Sequence, residues 1–167
     1  TGKWHLSEQP TDFGFQKYWG HLSGATNFFT GDNSFRLNGK EWHVPKMLNE
    51  RPFYTTNAIT DFALQFLSEE DIDSDSNPFF LYIAYNAPHY PLHAPKKDVE
   101  KYNGAYDVGW DVIRKLRYQN QVKSGLIPEK FKLSPRAPHI PAWSDLKETE
   151  KQWEAKRMEV FAAMIDI

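Results

Sequence analysis

The run Phe79-Phe80-Leu81-Tyr82-Ile83-Ala84-Tyr85 and the loop after it, Asn86-Ala87-Pro88-His89-Tyr90-Pro91-Leu92-His93-Ala94-Pro95, decide the fold. An apolar run without polar alternation, bounded by Asn77-Pro78 before and by prolines after, reads as a strand buried on both faces. In open α/β sheets ligands bind in the crevice outside the carboxyl ends of the strands. Here that end carries two histidines in a loop stiffened by Pro88, Pro91 and Pro95. A rigid histidine loop at a strand end is a candidate site.

The stretch before this strand has a different pattern. Ala58, Ile59, Phe62, Ala63, Phe66 and Leu67 recur at helical spacing behind Thr55, Thr56 and Asn57, which are candidate caps, so an amphipathic helix is predicted from Thr55. Glu69 to Asn77 reads as an acidic surface linker. Helix, short connection and buried strand imply an α/β sheet, and the neighbouring strands are expected to lie partly outside this chain.

Further upstream, Thr1 to Leu6 is read as an extended segment with Trp4 and Leu6 on one face and Lys3 and His5 on the other. Ser7 to Trp42 is rich in Gly, Asn, Asp, Thr and aromatics, has no sustained helical period, and reads as an irregular excursion. Within it, Phe35 to Val44 fits a small hairpin over Asn38-Gly39, and Gly31-Asp32-Asn33 fits a turn.

Downstream, Tyr102-Asn103-Gly104-Ala105 is a predicted turn. Tyr106 to Lys123 is a predicted helix with Trp110, Ile113 and Arg117 on one face and Gly125 as its stop. Pro128, Pro135, Pro138 and Pro141 make Ile127 to Trp143 an irregular surface crossing. A last helix, capped by Ser144-Asp145 or Thr149, would present Trp153, Met158, Phe161, Met164 and Ile165 as its apolar stripe.

Composition narrows the function classes. The 167 residues suffice for a core-bearing domain, and 40% hydrophobic with 25% charged content is ordinary for a globular protein. A net charge of -2 argues against a broad basic surface for nucleic acid or anionic membrane. The 16% aromatic content can serve a large core or line a pocket for rings such as sugars, and the core reading is preferred. With no cysteine, disulfides and thiolate chemistry are excluded. No stretch approaches the ~20 apolar residues of a membrane span. The chain opens without Met on Thr1-Gly2-Lys3-Trp4 and ends in an apolar helical pattern, so an internal piece of a longer chain is expected.

Two pairs of residues can carry chemistry. Lys3 and His5 can grip one oxyanion together, which suits sulfate, phosphate or carboxylate; the plainer alternative is a solvated edge strand. His89 and His93 have the i, i+4 spacing of metal ligands on a helix, but Pro91 argues against a helix, so at most one is expected in a reactive centre. Equally, both rings can serve only the loop backbone. His21, His43 and His139 are read as structural or exposed loop residues. Asp32-Asn33 is explained by its turn, and Asp61, Asp107 and Asp111 by the positive ends of helices.

Taken together, several motifs resemble the sulfatase family, the arylsulfatase-like branch of the alkaline-phosphatase superfamily. They are Gly2-Lys3-Trp4-His5-Leu6, Gly14-Phe15, Tyr18-Trp19-Gly20, Tyr54-Thr55-Thr56 leading to Thr60-Asp61, Pro78-Phe79-Phe80-Leu81-Tyr82 running into Ala87-Pro88-His89-Tyr90-Pro91, and Tyr106-Asp107 with Gly109-Trp110-Asp111. The resemblance is collinear over nearly the whole chain.

It implies a mixed-sheet α/β domain, with an irregular aromatic-rich loop region, that hydrolyses sulfate esters. The chemistry uses a formylglycine made from Cys or Ser in a C/S-x-P-x-R motif and a divalent cation, usually calcium. By motif position, Lys3 and His5 would contact the formylglycine hydrate and sulfate oxygens. His89 would contact the sulfate and help protonate the leaving alcohol, with His93 a further substrate-side candidate. A sulfated small molecule or glycan is the implied substrate, and an exported location (periplasmic, extracellular or lysosomal) the implied place.

The sequence departs from the family pattern in lacking the C/S-x-P-x-R motif, the paired aspartates, the later Asp-Asn before Gly and the second lysine. Residues 1–167 are therefore expected to be the middle portion of a sulfatase catalytic domain, inactive in isolation and with no metal ligands of their own. A phosphodiesterase or phosphonate hydrolase of the same superfamily, and a non-catalytic carbohydrate-binding fragment, are the alternative readings. Oligomeric state stays open.

Overall fold

The computed structural model describes residues 1–69 and 78–167. The linker expected over Glu69 to Asn77 thus falls, except for Glu69, outside the described residues. The chain divides into two compact units, Thr1–Ala94 and Pro95–Asp166.

The first unit packs a small sheet on one helix. Strands β1 (Trp19–His21), β2 (Phe35–Leu37) and β3 (Lys40–Glu41) form an antiparallel sheet in that order. The predicted hairpin is present. Its turn residues Asn38 and Gly39 have φ of 48° and 85°, the left-handed pair that a two-residue hairpin needs. β4 (Met47–Leu48) and β5 (Arg51–Pro52) make a second short ladder.

Helix α1 (Thr55–Ser68) forms where periodicity placed it and buries Ala58, Ile59, Phe62, Ala63 and Phe66. Its face meets Trp19, Phe35 and Phe53 in the core, where the Trp19 and Phe62 rings stack at 4.4 Å and 9°. The core reading of the aromatics holds only in part: Tyr18, Trp19, Phe28, Phe35, Phe53, Tyr54, Phe62 and Phe66 are buried, while Phe13, Phe29, Phe79, Phe80, Tyr82, Tyr85, Tyr90, Phe131 and Trp153 are exposed. The caps differ from expectation. Tyr54 is the N-cap, and Thr55 uses both its N–H and its hydroxyl to donate to the Phe28 carbonyl, at 2.8 and 3.0 Å, tying the helix start to an irregular loop. Asp61 lies past the first turn and is held by Arg51 at 2.6 Å and Asn49 at 3.1 Å, so an ion pair rather than the helix dipole accounts for it.

The strand expected over Phe79 to Tyr85 is not formed as such: the run makes one isolated bridge, at Ala84, and among the described residues only one of its edges is paired. Thr1 N donates to the Tyr82 carbonyl at 2.6 Å, Ala84 N to Thr1 O at 2.9 Å and Lys3 N to Ala84 O at 2.8 Å, a parallel register centred on Gly2 and Ala84. Its side chains are not buried on both faces: Phe80 is 79% exposed, and Phe79, Tyr82, Ile83 and Tyr85 are also exposed. Edge pairing by itself covers neither face; Phe80 meets Phe15 at 6.1 Å yet stays exposed, so the burial inferred from the apolar run is not met among the described residues.

Gly2 to His5 also runs alongside β1 on its other edge, with Gly2 N, Trp4 N and His5 N donating to the carbonyls of Trp19, His21 and Leu22 at 2.8, 3.0 and 3.1 Å. Residues 1–5 thus hydrogen-bond to a neighbouring segment on each side, although Gly2 alone makes a ladder bridge. The Tyr18 hydroxyl donates to the Gly2 carbonyl at 3.0 Å, and burial pushes that phenol well above its ordinary range.

The second unit is helical: α2 (Lys96–Val99), α3 (Trp110–Lys123) and α4 (Glu148–Asp166). α3 starts four residues later than predicted, because Asn103 to Val108 turns instead and Gly109, at φ 82°, closes the turn. Asp111 accepts from Trp143 N at 2.9 Å and Arg136 at 2.8 Å, bonds that hold its carboxyl below the usual range and clamp the proline-rich crossing to the helix start. In α4, Met164 is buried, but Trp153 and Ile165 are exposed. The buried residues are Ala155, Glu159, Ala163 and Met164, so the stripe inferred from large apolar side chains is displaced towards small ones. Glu159 is tolerated inside because it accepts from Gly104 N at 2.9 Å and Lys156 at 2.7 Å. Ser144 and Asp145 lie in a separate 3-10 turn.

Gly2 is, with Gly20, one of two glycines of the first unit closely approached by backbone. A Cβ on Gly2 would lie 2.1 Å from the Ala84 carbonyl oxygen, at a φ of 103°. Gly2→Ala in the whole protein is expected to lower stability by more than about 3 kcal/mol. Gly14→Ala, with positive φ but nothing within 4 Å, should cost about 1–2 kcal/mol. Urea unfolding of the two variants measures the contrast.

Candidate functional site

The parallel register sets the site's geometry. Because Thr1–His5 and Tyr82–Ala84 run in the same direction, Lys3, His5 and the Asn86–Pro95 loop leave the same edge of the pair. Lys3 is half-buried and His5 exposed. The strict alternation expected for Lys3 and His5 stops at Trp4, since His5 has a φ of 63° and has left the strand conformation. Leu6, assigned to the same face as Trp4, is 56% exposed. The His5 ring rests over Gly24, where any Cβ would come within 2.4 Å of Nε2.

His89 is exposed and its Nδ1 lies 2.8 Å from the Tyr90 carbonyl oxygen. A carbonyl can only accept, so Nδ1 carries the proton and Nε2 is the atom free to accept, or as imidazolium to donate. His93 behaves differently. Its ring packs on Phe29 at 5.6 Å and Phe28 at 6.3 Å, its carbonyl accepts from the Tyr54 hydroxyl at 3.0 Å, and its Nδ1 is buried without a partner among the described residues. The two imidazoles therefore occupy different surroundings. Asn86, at the start of the loop, is buried with both side-chain polar atoms unpartnered among the described residues.

His21 is the residue sequence reasoning missed. It is not an exposed loop residue but the last of β1, fully buried, with its ring 5.4 Å from Phe35. Its Nδ1 donates to the Ser23 carbonyl at 2.9 Å, leaving Nε2 buried and without a partner among the described residues. Trp19 and His21 alternate across Gly20, whose missing side chain lets the Gly2 backbone approach. That close-approach glycine between two bulky residues was the available signal.

Burial pushes the His21 pKa down to about 4; the Ser23 carbonyl and the Asp32 carboxylate oppose the shift, while Lys3 and His5 add to it. His21 therefore stands within electrostatic reach of both Lys3 and His5. Asp32 is more than a turn residue. Burial would raise its carboxyl, but bonds from Ser34 N at 2.7 Å, the Ser34 hydroxyl at 2.5 Å and the Ser23 hydroxyl at 2.8 Å outweigh that and hold it below the usual value. Asp32, Ser23 and His21 thus form a continuous chain beneath the Lys3–His5 corner.

Parallel pairing puts the Lys3–His5 end and the Asn86–Pro95 loop at the same end of the two paired segments. Among the described residues, no group of three or more His, Asp or Glu side chains could hold a metal ion. No described helix is long and apolar enough to cross a membrane.

The state of His21 makes stability pH-dependent. Its folded pKa of about 4 lies below its ordinary 6.5, so the unfolded chain binds the extra proton between those values. The stabilisation is whole above pH 6.5 and is lost as pH falls through 4, by about 3 kcal/mol. Denaturant titrations across this window should show the loss in the native protein and a flatter profile in His21→Gln.

Comparison with known proteins accords with these motifs. The profile of the Sulfatase family matches residues 1–157. An uncharacterized sulfatase of Schizosaccharomyces pombe is 34% identical over all of this chain, which covers 32% of that protein. An arylsulfatase of Klebsiella aerogenes is 27% identical over 99% of this chain and 37% of its own length. Arylsulfatase J of Mus musculus is 29% identical over 65% of this chain and 19% of its own. The crystal structure of Ps i-CgsB in complex with k-i-k-neocarrahexaose aligns with 99% of this chain and 32% of that one, with a TM-score of 0.47 and 21% identity. The chain thus spans well under half the length of each of these relatives, and it belongs to the sulfatase family.

Proposed function

We propose that the full-length protein hydrolyses sulfate esters and that the Thr1–His5 strand end, with the Asn86–Pro95 loop, forms one wall of its active site. The observation that carries this reading is the parallel pairing of Lys3 N with Ala84 O at 2.8 Å and of Ala84 N with Thr1 O at 2.9 Å. It sends both cationic candidates and the histidine loop from a single edge, where open α/β sheets receive ligands.

In this reading the chain occupies the middle of a sulfatase catalytic domain. Cleaving a sulfate ester leaves negative charge on the sulfuryl oxygens and on the departing alcohol oxygen. The Lys3 ammonium and the His5 ring neutralise the former. His89 donates from Nε2 to the latter, its other nitrogen being committed to the Tyr90 carbonyl. His93, walled by Phe28 and Phe29, shapes the loop from inside and contacts substrate at most through its ring edge. His21 and Asp32 brace the Lys3–His5 corner. Calcium and formylglycine, when bound or formed, supply charge neutralisation and a nucleophilic oxygen; the residues of this chain described above do not make that metal site, and the reading places it elsewhere in the protein. The substrate is a sulfated small molecule or glycan, met in an exported compartment.

The full-length protein should turn over aryl sulfate in preference to aryl phosphate. Lys3→Ala and His89→Ala should each lower kcat on aryl sulfate by about 100-fold or more. The His89→Ala defect should shrink with a more acidic leaving phenol, since such a phenolate needs no proton. Strong phosphate preference, or unaltered kcat in both variants, contradicts the proposal.

A further inference from the structure

We propose that the cleft between α3 and the Ile127–Ser134 segment of the second unit binds a sulfated oligosaccharide. Charge is segregated along this chain. Of its 20 Lys and Arg and 22 Asp and Glu, seven cations and only one acid, Glu129, fall between Val112 and Ile140. The net charge of -2 conceals a strongly basic stretch within an acidic remainder.

The fold gathers part of that stretch into a cleft of about 290 Å³ lined by Arg114, Arg117, Tyr118, Gln121, Phe131 and Lys132, with no acidic residue in its lining. Arg114, Arg117 and Gln121 are spaced to share one face of α3. Two ties hold the opposite wall in place: Tyr118 donates to the Phe131 carbonyl at 2.8 Å, and Arg114 donates to the Ser134 carbonyl and hydroxyl at 2.7 and 2.8 Å. Arg117 and Lys132 remain without an ion pair among the described residues. Both are exposed and free to meet an anion from solvent, and a guanidinium takes a sulfate or carboxylate bidentately.

Arg117 also lines two adjoining clefts. One is bounded by Leu116, Asn120 and Ser124. The other, of about 600 Å³, is largely apolar and contains Trp110 and Trp143. The first of these has no aromatic lining and the second also carries Asp111 and Glu154, so the anionic groups belong to the Arg117–Lys132 cleft and the Trp110 and Trp143 faces offer a surface for neighbouring pyranose rings. The choice of a sulfated glycan over another polyanion rests on the sulfatase reading above.

The test uses the full-length protein and a heparin-derived hexasaccharide, with binding measured by calorimetry at about 0.15 M salt. Arg117→Ser with Lys132→Ser should weaken binding by about tenfold or more while leaving kcat/KM on aryl sulfate unchanged. Lys115→Ser with Lys123→Ser, which removes the same charge from α3 outside the cleft, should stay within about threefold of the native protein. Thermal melting checks that both pairs fold, as expected for exposed side chains. Equal weakening by the two pairs, no weakening by the first, or single-stranded DNA binding as tightly as the hexasaccharide would overturn the proposal. Loss of hexasaccharide binding in the first pair, in a protein that fails to cleave aryl sulfate, would overturn the sulfatase reading and uphold the anion cleft. Cleavage of aryl sulfate with undiminished binding in that pair would do the reverse.

Discussion

Gly2 lies between two backbones, and the first unit depends on that close approach. On one side a side chain would strike the Ala84 carbonyl; on the other, the Gly2 carbonyl occupies the space a side chain at Gly20 would need, 1.9 Å from its Cβ. Two glycines facing one another across a strand pair let Thr1–His5 hydrogen-bond on both edges within a few residues. The apolar run ending at Tyr85 gains its only described pairing partner through this strand. Lys3 and His5 gain theirs through the same bonds, so both halves of the candidate site rest on one narrow passage.

Beneath it the packing is conventional and strong. The Trp19 ring stacked on Phe62, with Trp42 edge-on at 5.2 Å, fixes β1 against α1. That contact delivers His21, two residues beyond Trp19, to the underside of the Lys3–His5 corner. A neutral buried imidazole there adds no positive charge of its own to a corner that already holds an ammonium and a second ring. The Asp32 carboxylate, reached through Ser23, supplies the balancing negative end. Such an arrangement keeps two donors close together without a third cation to repel them.

Local periodicity carried much of the fold: α1 and the Asn38-Gly39 hairpin are set by side-chain spacing and turn chemistry, which are properties of neighbours in sequence. What escaped reading depends on distant partners. An unbroken apolar run announces burial, yet exposure of Phe80 and its neighbours follows from which layers are present to cover them. His21 escaped because Ser7 to Trp42 has no repeating pattern, and its burial comes from Phe35 and the Gly2 strand. Lys3, His5 and His89 were legible as chemical types in motif order; the bond from His89 Nδ1 to the Tyr90 carbonyl, which settles which nitrogen faces outward, was not. Chain-wide net charge likewise hid the basic face of α3, because a sum carries no information about segregation.

The most direct measurement of the central claim is a crystal structure of the full-length protein with a non-hydrolysable sulfate-ester analogue. The account predicts the sulfuryl group at the shared strand edge, with its oxygens within hydrogen-bond reach of Lys3 Nζ and the His5 ring and its ester oxygen within reach of His89 Nε2. An analogue bound elsewhere, with Lys3 and His89 directed to solvent, would contradict it.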